Sequence, residues 1–256
     1  MKTVILICTY ILFTNQLLFA TNKIIFDKIT VNNGLSHSDV NAIVQDKDGF
    51  VWFGTYNGLC RYDGNNIIIF RTDNSNLSNN RILSLYVSSD SLLYIGTEAG
   101  GLNIYDPETG NITVYKHRDG NNRTLAGDVV NNIFEDTDKN VWICTDNGVS
   151  SVIKNEKGIS LKSFDPGEMN ELILSGCQLN NNKLLLATNK GIMSFDKKKG
   201  IYTPILRNEV NQIVHTVARK SAESILIGSS NGMYEYNTSL NTIKLISAID
   251  PLSIIV

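Results

Sequence analysis

The sequence predicts an all-β chain of repeated four-stranded antiparallel sheets arranged as a propeller, and three observations predict it. First, a block reading apolar, aromatic or aliphatic, apolar, small, Thr or Ser occurs five times: Val51–Thr55, Leu93–Thr97, Val141–Thr145, Leu184–Thr188 and Ile225–Ser229. Second, each block leads to a Gly-apolar pair, and the glycines of those pairs (Gly58, Gly101, Gly148, Gly191, Gly232) lie 43, 47, 43 and 41 residues apart, a blade-like period. Third, three of the turns are Asn-Gly, at Asn57-Gly58, Asn147-Gly148 and Asn231-Gly232, which supplies the positive φ angles of a tight hairpin. A β-sandwich could use similar hairpins, but five units in one register favour the propeller.

Each element follows from the same logic. The near-continuous apolar blocks suit strands covered on both faces by neighbouring sheets. The small residue of each block (Gly54, Gly96, Cys144, Ala187, Gly228) leaves room for a bulky side chain from a neighbour. In the first unit the strands fall at about 40–45, 50–55, 59–62 and 67–71. The approximate blades are 40–72, 81–116, 128–165, 172–206 and 211–247. A Leu-Ser-type approach precedes the first three, at Leu35-Ser36, Leu77-Ser78 and Leu125-Ala126. Residues 24–30 read as an N-terminal latch strand that would complete the final blade of a closed ring. Residues 251–256 read as the start of a further blade, so the propeller is expected to be incomplete, a fragment of something longer.

The 256 residues are 42% hydrophobic with net charge −2, which leaves no electrostatic footprint for nucleic acid or an anionic membrane. Residues 1–20 have the layout of a secretory signal peptide: Lys2, an apolar run from Val4 to Phe13, and Ala20 at the cut. That predicts export to the periplasm and no membrane attachment after cleavage. Beyond Cys8, which lies in the leader, Cys60, Cys144 and Cys177 make no disulfide framework or zinc spacing. His37, His117 and His215 sit in different repeats, so neither a metal nor another cofactor is expected.

No Ser/His/Asp set, carboxylate pair or phosphate loop stands out, and the chain reads as a binding module rather than an enzyme. The interblade loops and the turns after each block share one face of a propeller. The expected ligand-binding residues there are His37, Tyr56, Asn57, Arg81, Glu98, Arg123 and Asp146. Aromatic, amide and charged groups together suit a sugar. The aromatics inside the repeats (Trp52, Tyr62, Tyr94, Tyr105, Trp142, Phe195, Tyr236) are assigned to the core.

The stretches GLSHSDVNAIVQDKDGFVWFGTYNGLCRYDG and NVWICTDNGVS resemble two-component regulator propeller repeats, with the resemblance running from about Phe26 to Asp250. The resemblance implies the periplasmic sensor of a Bacteroidetes-type hybrid two-component system. There, two seven-bladed propellers precede an immunoglobulin-like domain, a membrane helix and a histidine kinase, and the sensor responds to oligosaccharides. This chain departs from that plan: it has five units, and nothing in it matches the kinase. What the resemblance implies is a ligand-sensing module, with an oligosaccharide and either a second copy or a missing C-terminal sensor and kinase region as partners. A protein-interaction or structural propeller is the alternative, and an exported carbohydrate-active enzyme a third.

Overall fold

The computed structural model describes residues 26–156, 158–167, 171–205 and 212–248. The described residues form five four-stranded antiparallel sheets, each a meander in chain order. The first sheet is β1 (Val40–Gln45), β2 (Val51–Thr55), β3 (Gly58–Tyr62) and β4 (Ile67–Phe70). The second is β5 (Ile82–Val87), β6 (Leu93–Thr97), β7 (Leu102–Tyr105) and β8 (Ile112–Tyr115). The third is β9 (Val130–Glu135), β10 (Val141–Thr145), β11 (Gly148–Asn155) and β12 (Gly158–Phe164). The fourth is β13 (Ile173–Asn180), β14 (Lys183–Thr188), β15 (Gly191–Asp196) and β16 (Ile201–Ile205). The fifth is β17 (Val214–Arg219), β18 (Ser224–Ser229), β19 (Gly232–Asn237) and β20 (Thr242–Ala248).

The first strand of each sheet lies beside the first strand of the next. Asn41 Nδ2 donates to the Ile82 carbonyl at 2.8 Å, and Ser84 Oγ to the Val130 carbonyl at 3.0 Å. Asn131 Nδ2 donates to the Ile173 carbonyl at 3.0 Å, and the Val217 N–H to Ser175 Oγ at 3.4 Å. These four bonds cross the four seams in succession, as they must if the inner strands surround one axis.

Apolar packing repeats at each seam. Trp52 and Leu59 share a core with Ile82, Ile95 and Tyr105 of the second sheet. Tyr94 and Leu102 pack with Val130, Ile133 and Ile143 of the third. Trp142 and Val149 pack with Leu186 and Phe195 of the fourth, and Leu185 and Ile192 with Val217 and Ile227 of the fifth. A fully buried aliphatic of this kind stabilises by about 1.5–3 kcal/mol. The glycine in the second strand is a notch for the next sheet. A Cβ at Gly54 would sit 2.6 Å from Ile82 Cγ2, and one at Gly96 would sit 2.6 Å from Val130 Cγ1. Among the described residues a Cβ at Gly228 would meet only Thr216 of its own sheet, at 2.9 Å.

The outermost faces are correspondingly open. Ile43 is 65% exposed, where its counterparts Ile133 and Val217 are 4% and 5% exposed. Met233 is 40% exposed, where Leu59 and Leu102 are fully buried. The described residues are thus an incomplete propeller. Phe26 to Thr30, the described part of the expected latch, belong to no sheet, and Phe26 is exposed. The remainder of that segment, the expected leader and residues 251–256 lie outside the described residues. Among the described residues no helix is long and apolar enough to cross a membrane.

Two polar devices shape the sheets, the first in all five and the second in the first and third. At one end, the Thr or Ser that closes the block donates to the carbonyl of the turn glycine: Thr55 to Gly58 at 2.9 Å, Thr97 to Gly101 at 2.9 Å, Thr145 to Gly148 at 2.8 Å, Thr188 to Gly191 at 3.1 Å and Ser229 to Gly232 at 3.0 Å. Gly58 has φ 119° and Gly148 φ 110°, but Asn57 and Asn147 are not at positive φ: the two-residue loops are Tyr56-Asn57 and Asp146-Asn147, and the glycine that follows each faces the threonine across the hairpin, which corrects the expected Asn-Gly turn. At the other end, the turn carboxylate of Asp46 accepts the Asp48 and Phe50 N–H groups, both at 3.0 Å, and the Trp52 indole N–H at 2.7 Å. Asp136 repeats this with Asp138, Asn140 and Trp142, and adds the Lys197 ammonium of the fourth sheet at 2.8 Å. The acidic turns are therefore structural.

Candidate functional site

The turns after the blocks meet the entries of the inner strands at one end of the sheets. The Tyr56 N–H donates to the Asp39 carbonyl at 3.3 Å, Glu98 to Arg81 at 3.1 Å, Asp146 to Val129 at 3.2 Å, Asn189 to Leu172 at 3.4 Å and Ser230 to Ile213 at 3.1 Å. This recurring bond puts Tyr56, Glu98 and Asp146 at equivalent places in three consecutive sheets.

Four of the seven residues singled out in the sequence come together across the first seam. The Arg81 guanidinium lies over the Tyr56 ring, 4.6 Å from its centroid, and pairs with the Glu98 carboxylate of its own sheet. His37 meets the same ring edge-on, with centroids 6.0 Å apart. Its Nδ1 accepts the Asp39 N–H at 3.0 Å, which leaves Nε2 as the ring's donor. Tyr56 is 37% exposed, so part of an aromatic ring faces solvent beside a donor, a cation and an acceptor.

The other three are placed differently. Asn57 follows Tyr56 in the turn, and its carbonyl accepts Arg71 Nε at 2.9 Å. Asp146 turns back on its own sheet, where its Oδ1 accepts the Val129 N–H at 3.3 Å against the backbone of Gly127. Arg123 stands apart on the loop between β8 and β9. The block aromatics Trp52, Tyr94 and Trp142 are buried, as are Tyr105, Phe195 and Tyr236, whereas Tyr62 is half-buried. Cys60 and Cys144 are buried free thiols, and Cys177 is a half-buried one. Burial pushes the Cys177 thiol up to about 12, so it stays protonated at neutral pH.

Sequence reasoning did not reach Arg71, which fixes the Tyr56 turn through Asn57, or Asp39, which orients His37. The signal for Asp39 was the sequence His-Ser-Asp, two residues from the imidazole. Arg71 lies 14 residues from Asn57, and only the β3–β4 hairpin brings them together.

A family model described as a two component regulator propeller matches residues 34–57 and 124–147, the approach and first two strands of the first and third sheets. No curated protein sequence matches the chain. Among solved structures, the extracellular domain of a hybrid two-component system of B. thetaiotaomicron is 22% identical with a TM-score of 0.76, over 87% of this chain and 32% of that one. The extracellular domain of a one-component system from the same organism is 18% identical with a TM-score of 0.52, over 85% of this chain and 34% of that one. A virginiamycin B lyase from Staphylococcus aureus is 14% identical with a TM-score of 0.66, over 83% of this chain and 71% of that one. The chain spans about a third of the two extracellular domains it matches. The likeness to a lyase as well as to receptor domains is a likeness of fold, since one propeller scaffold serves unrelated functions.

Proposed function

The chain carries two-component regulator propeller repeats, and from that premise we propose that it is a ligand-sensing propeller module of a two-component signalling receptor. It is exported to the periplasm, binds oligosaccharides and performs no chemistry on them. The observation that carries this reading is the convergence of His37, Tyr56, Arg81 and Glu98 from two sheets on one end of the propeller. A half-exposed ring stacks on the C–H face of a sugar. The imidazole N–H and guanidinium donate to hydroxyl oxygens, and the carboxylate accepts from hydroxyl groups. Because the contact spans a seam, a bound sugar would add a bond between neighbouring sheets, which suits a module that reports occupancy by stiffening.

Thermal unfolding of the protein with a panel of neutral oligosaccharides tests this. One member should raise the midpoint in a saturable way, by the equivalent of about 2.7 kcal/mol at a hundredfold excess over Kd. Tyr56→Ala should weaken that ligand about tenfold, the loss of one stacking contact of about 1–1.5 kcal/mol. A cooperative transition that no saccharide moves would overturn the reading.

A further inference from the structure

The loop joining the second sheet to the third, residues 116–129, has 14 residues, against 11 for its counterpart 71–81 one seam earlier. Its first eight residues place Lys116, Arg118 and Arg123 against one carboxylate, Asp119, in a chain of net charge −2. The loop's own polar groups hold its shape. Asp128 accepts the His117 N–H at 2.7 Å, and Thr124 Oγ1 accepts the Arg118 N–H at 3.1 Å. Thr124 Oγ1 donates to the Asn121 carbonyl at 2.8 Å, and Asn121 Oδ1 accepts the Arg123 N–H at 3.0 Å. The Ser163 N–H donates to the Asn122 carbonyl at 2.9 Å, which ties the loop to β12.

The loop's charges divide into two sets. His117 is committed: Nδ1 lies 2.7 Å from the Leu125 carbonyl and Nε2 lies 3.0 Å from Asp119. The carbonyl first, then Asp119, hold its pKa above the ordinary histidine value. Asp119 and Asp128 are both occupied with His117. The side-chain nitrogens of Lys116, Arg118 and Arg123 have no hydrogen-bond or ion-pair partner among the described residues. In the shorter loop the corresponding cation, Arg71, is bonded to Asn57. The three unpaired cations and His117 line one cavity of about 420 Å³, with Tyr115 and Leu161 in its wall and no carboxylate. The volume is that of a small-ligand pocket. A cavity of about 330 Å³ on the other flank of the loop shares His117 and Arg118 but includes Asp165, so the charge favours the first.

We propose that the cavity between the β8–β9 loop and β12 binds an anionic saccharide, one that carries carboxylate or sulfate groups. Arg118 and Arg123 offer forked donors to the anion, Lys116 adds a point charge, and Tyr115 provides the ring-facing surface. This rests on the oligosaccharide-sensing reading and adds a charge class and a second location to it.

Calorimetric titration of the full chain tests it, with tetragalacturonate, a heparin tetrasaccharide, a neutral galactose tetrasaccharide and sodium sulfate as probes. One of the two anionic tetrasaccharides should bind at least about tenfold more tightly than the neutral one, and more weakly at high salt. Arg118→Gln with Arg123→Gln should weaken it by at least about tenfold. Lys116→Gln, on an exposed side chain outside the loop's hydrogen bonds, should weaken it by a smaller factor. Lys47→Gln, in the exposed turn of the first sheet, should leave it unchanged. Equal binding of neutral and anionic saccharides, or full affinity in the Arg118/Arg123 and Lys116 variants, overturns the proposal. So does an equal loss from Lys47→Gln, or sulfate binding as tightly as the tetrasaccharide. Neutral saccharide bound without either anionic one overturns this proposal and spares the sensing reading, whereas a folded chain that binds no saccharide overturns both.

Discussion

In the first sheet the indole N–H of Trp52 reaches the turn carboxylate of Asp46, and in the third Trp142 reaches Asp136. In the second sheet Tyr94 stands in the same register and Ser88 replaces the aspartate, and the Tyr94 hydroxyl is buried with no hydrogen-bond partner among the described residues. Yet the three sheets have the same strand order, the same Thr-closed turn and the same kind of seam. The fold therefore rests on the apolar block, the notch and the turn threonine. The Trp–Asp pair is a local reinforcement laid over them. Residues 34–57 and 124–147, where the family model matches, contain both complete Trp–Asp pairs and stop before the third strand of each sheet, so the sequence signature follows the reinforcement more closely than the architecture.

That contrast can be broken by substitution. The largest effect should come from a notch. Gly54→Val places atoms where Ile82 of the second sheet sits, its Cγ2 2.6 Å and its Cβ 3.2 Å from the new Cβ, and should cost about 3 kcal/mol. Gly228→Val, which among the described residues meets only Thr216 of its own sheet, should cost less than about 1 kcal/mol. Urea unfolding of the two variants measures the difference, and equal losses would mean that the seams are not what makes the glycine necessary.

Next in size is the carboxylate. Asp136→Ala leaves the Trp142 indole and two turn N–H groups without their acceptor and the largely buried Lys197 ammonium with Asp138 alone, at 3.3 Å, and should cost about 3 kcal/mol. Asp46→Ala, with no lysine to strand, should cost about 1–2 kcal/mol. Burial alone pushes the Asp136 pKa up, but Lys197, Trp142 and Asn140 together hold it below the ordinary carboxylate value. Since the folded value is the depressed one, this stabilisation is complete above the ordinary carboxylate pKa and is lost as pH falls through the folded value. Asp136→Asn should flatten that acid limb, and an unchanged slope in denaturation against pH would remove the ion pair from the account. The smallest effect should be Tyr94→Phe, which deletes an unpaired buried hydroxyl and should be neutral or stabilising by up to about 1 kcal/mol. A clear loss of melting temperature would show that the hydroxyl has a partner after all.

Most of the architecture was legible because it repeats. A single apolar block is ambiguous, but five in register with glycine turns fix strand number, order and the buried faces of Trp52, Trp142 and Phe195. The notch at Gly54 was legible for the same reason. The turn threonines stood in plain view at every block end, yet their purpose depends on hairpin geometry that brings the Gly58 carbonyl within 2.9 Å of Thr55. The candidate site was legible only as a set of loop residues. Arg81 follows Tyr56 by 25 residues, and it is the packing of two sheets that lays the guanidinium on the ring. The same reasoning could not separate Arg123 from that group, because membership depends on loop path rather than on residue type.

The seam bonds carry one consequence for how the molecule comes apart. Among the described residues each sheet closes its own hairpins and packs on the sheet before and the sheet after, so their stability is a sum of sheet terms and nearest-neighbour terms along a line. With no described contact closing that line into a ring, damage at its middle cannot be bypassed. A lesion at the Asn131–Ile173 seam would divide the chain into a three-sheet and a two-sheet unit, each melting at its own temperature, whereas a lesion in the fifth sheet would only fray an end.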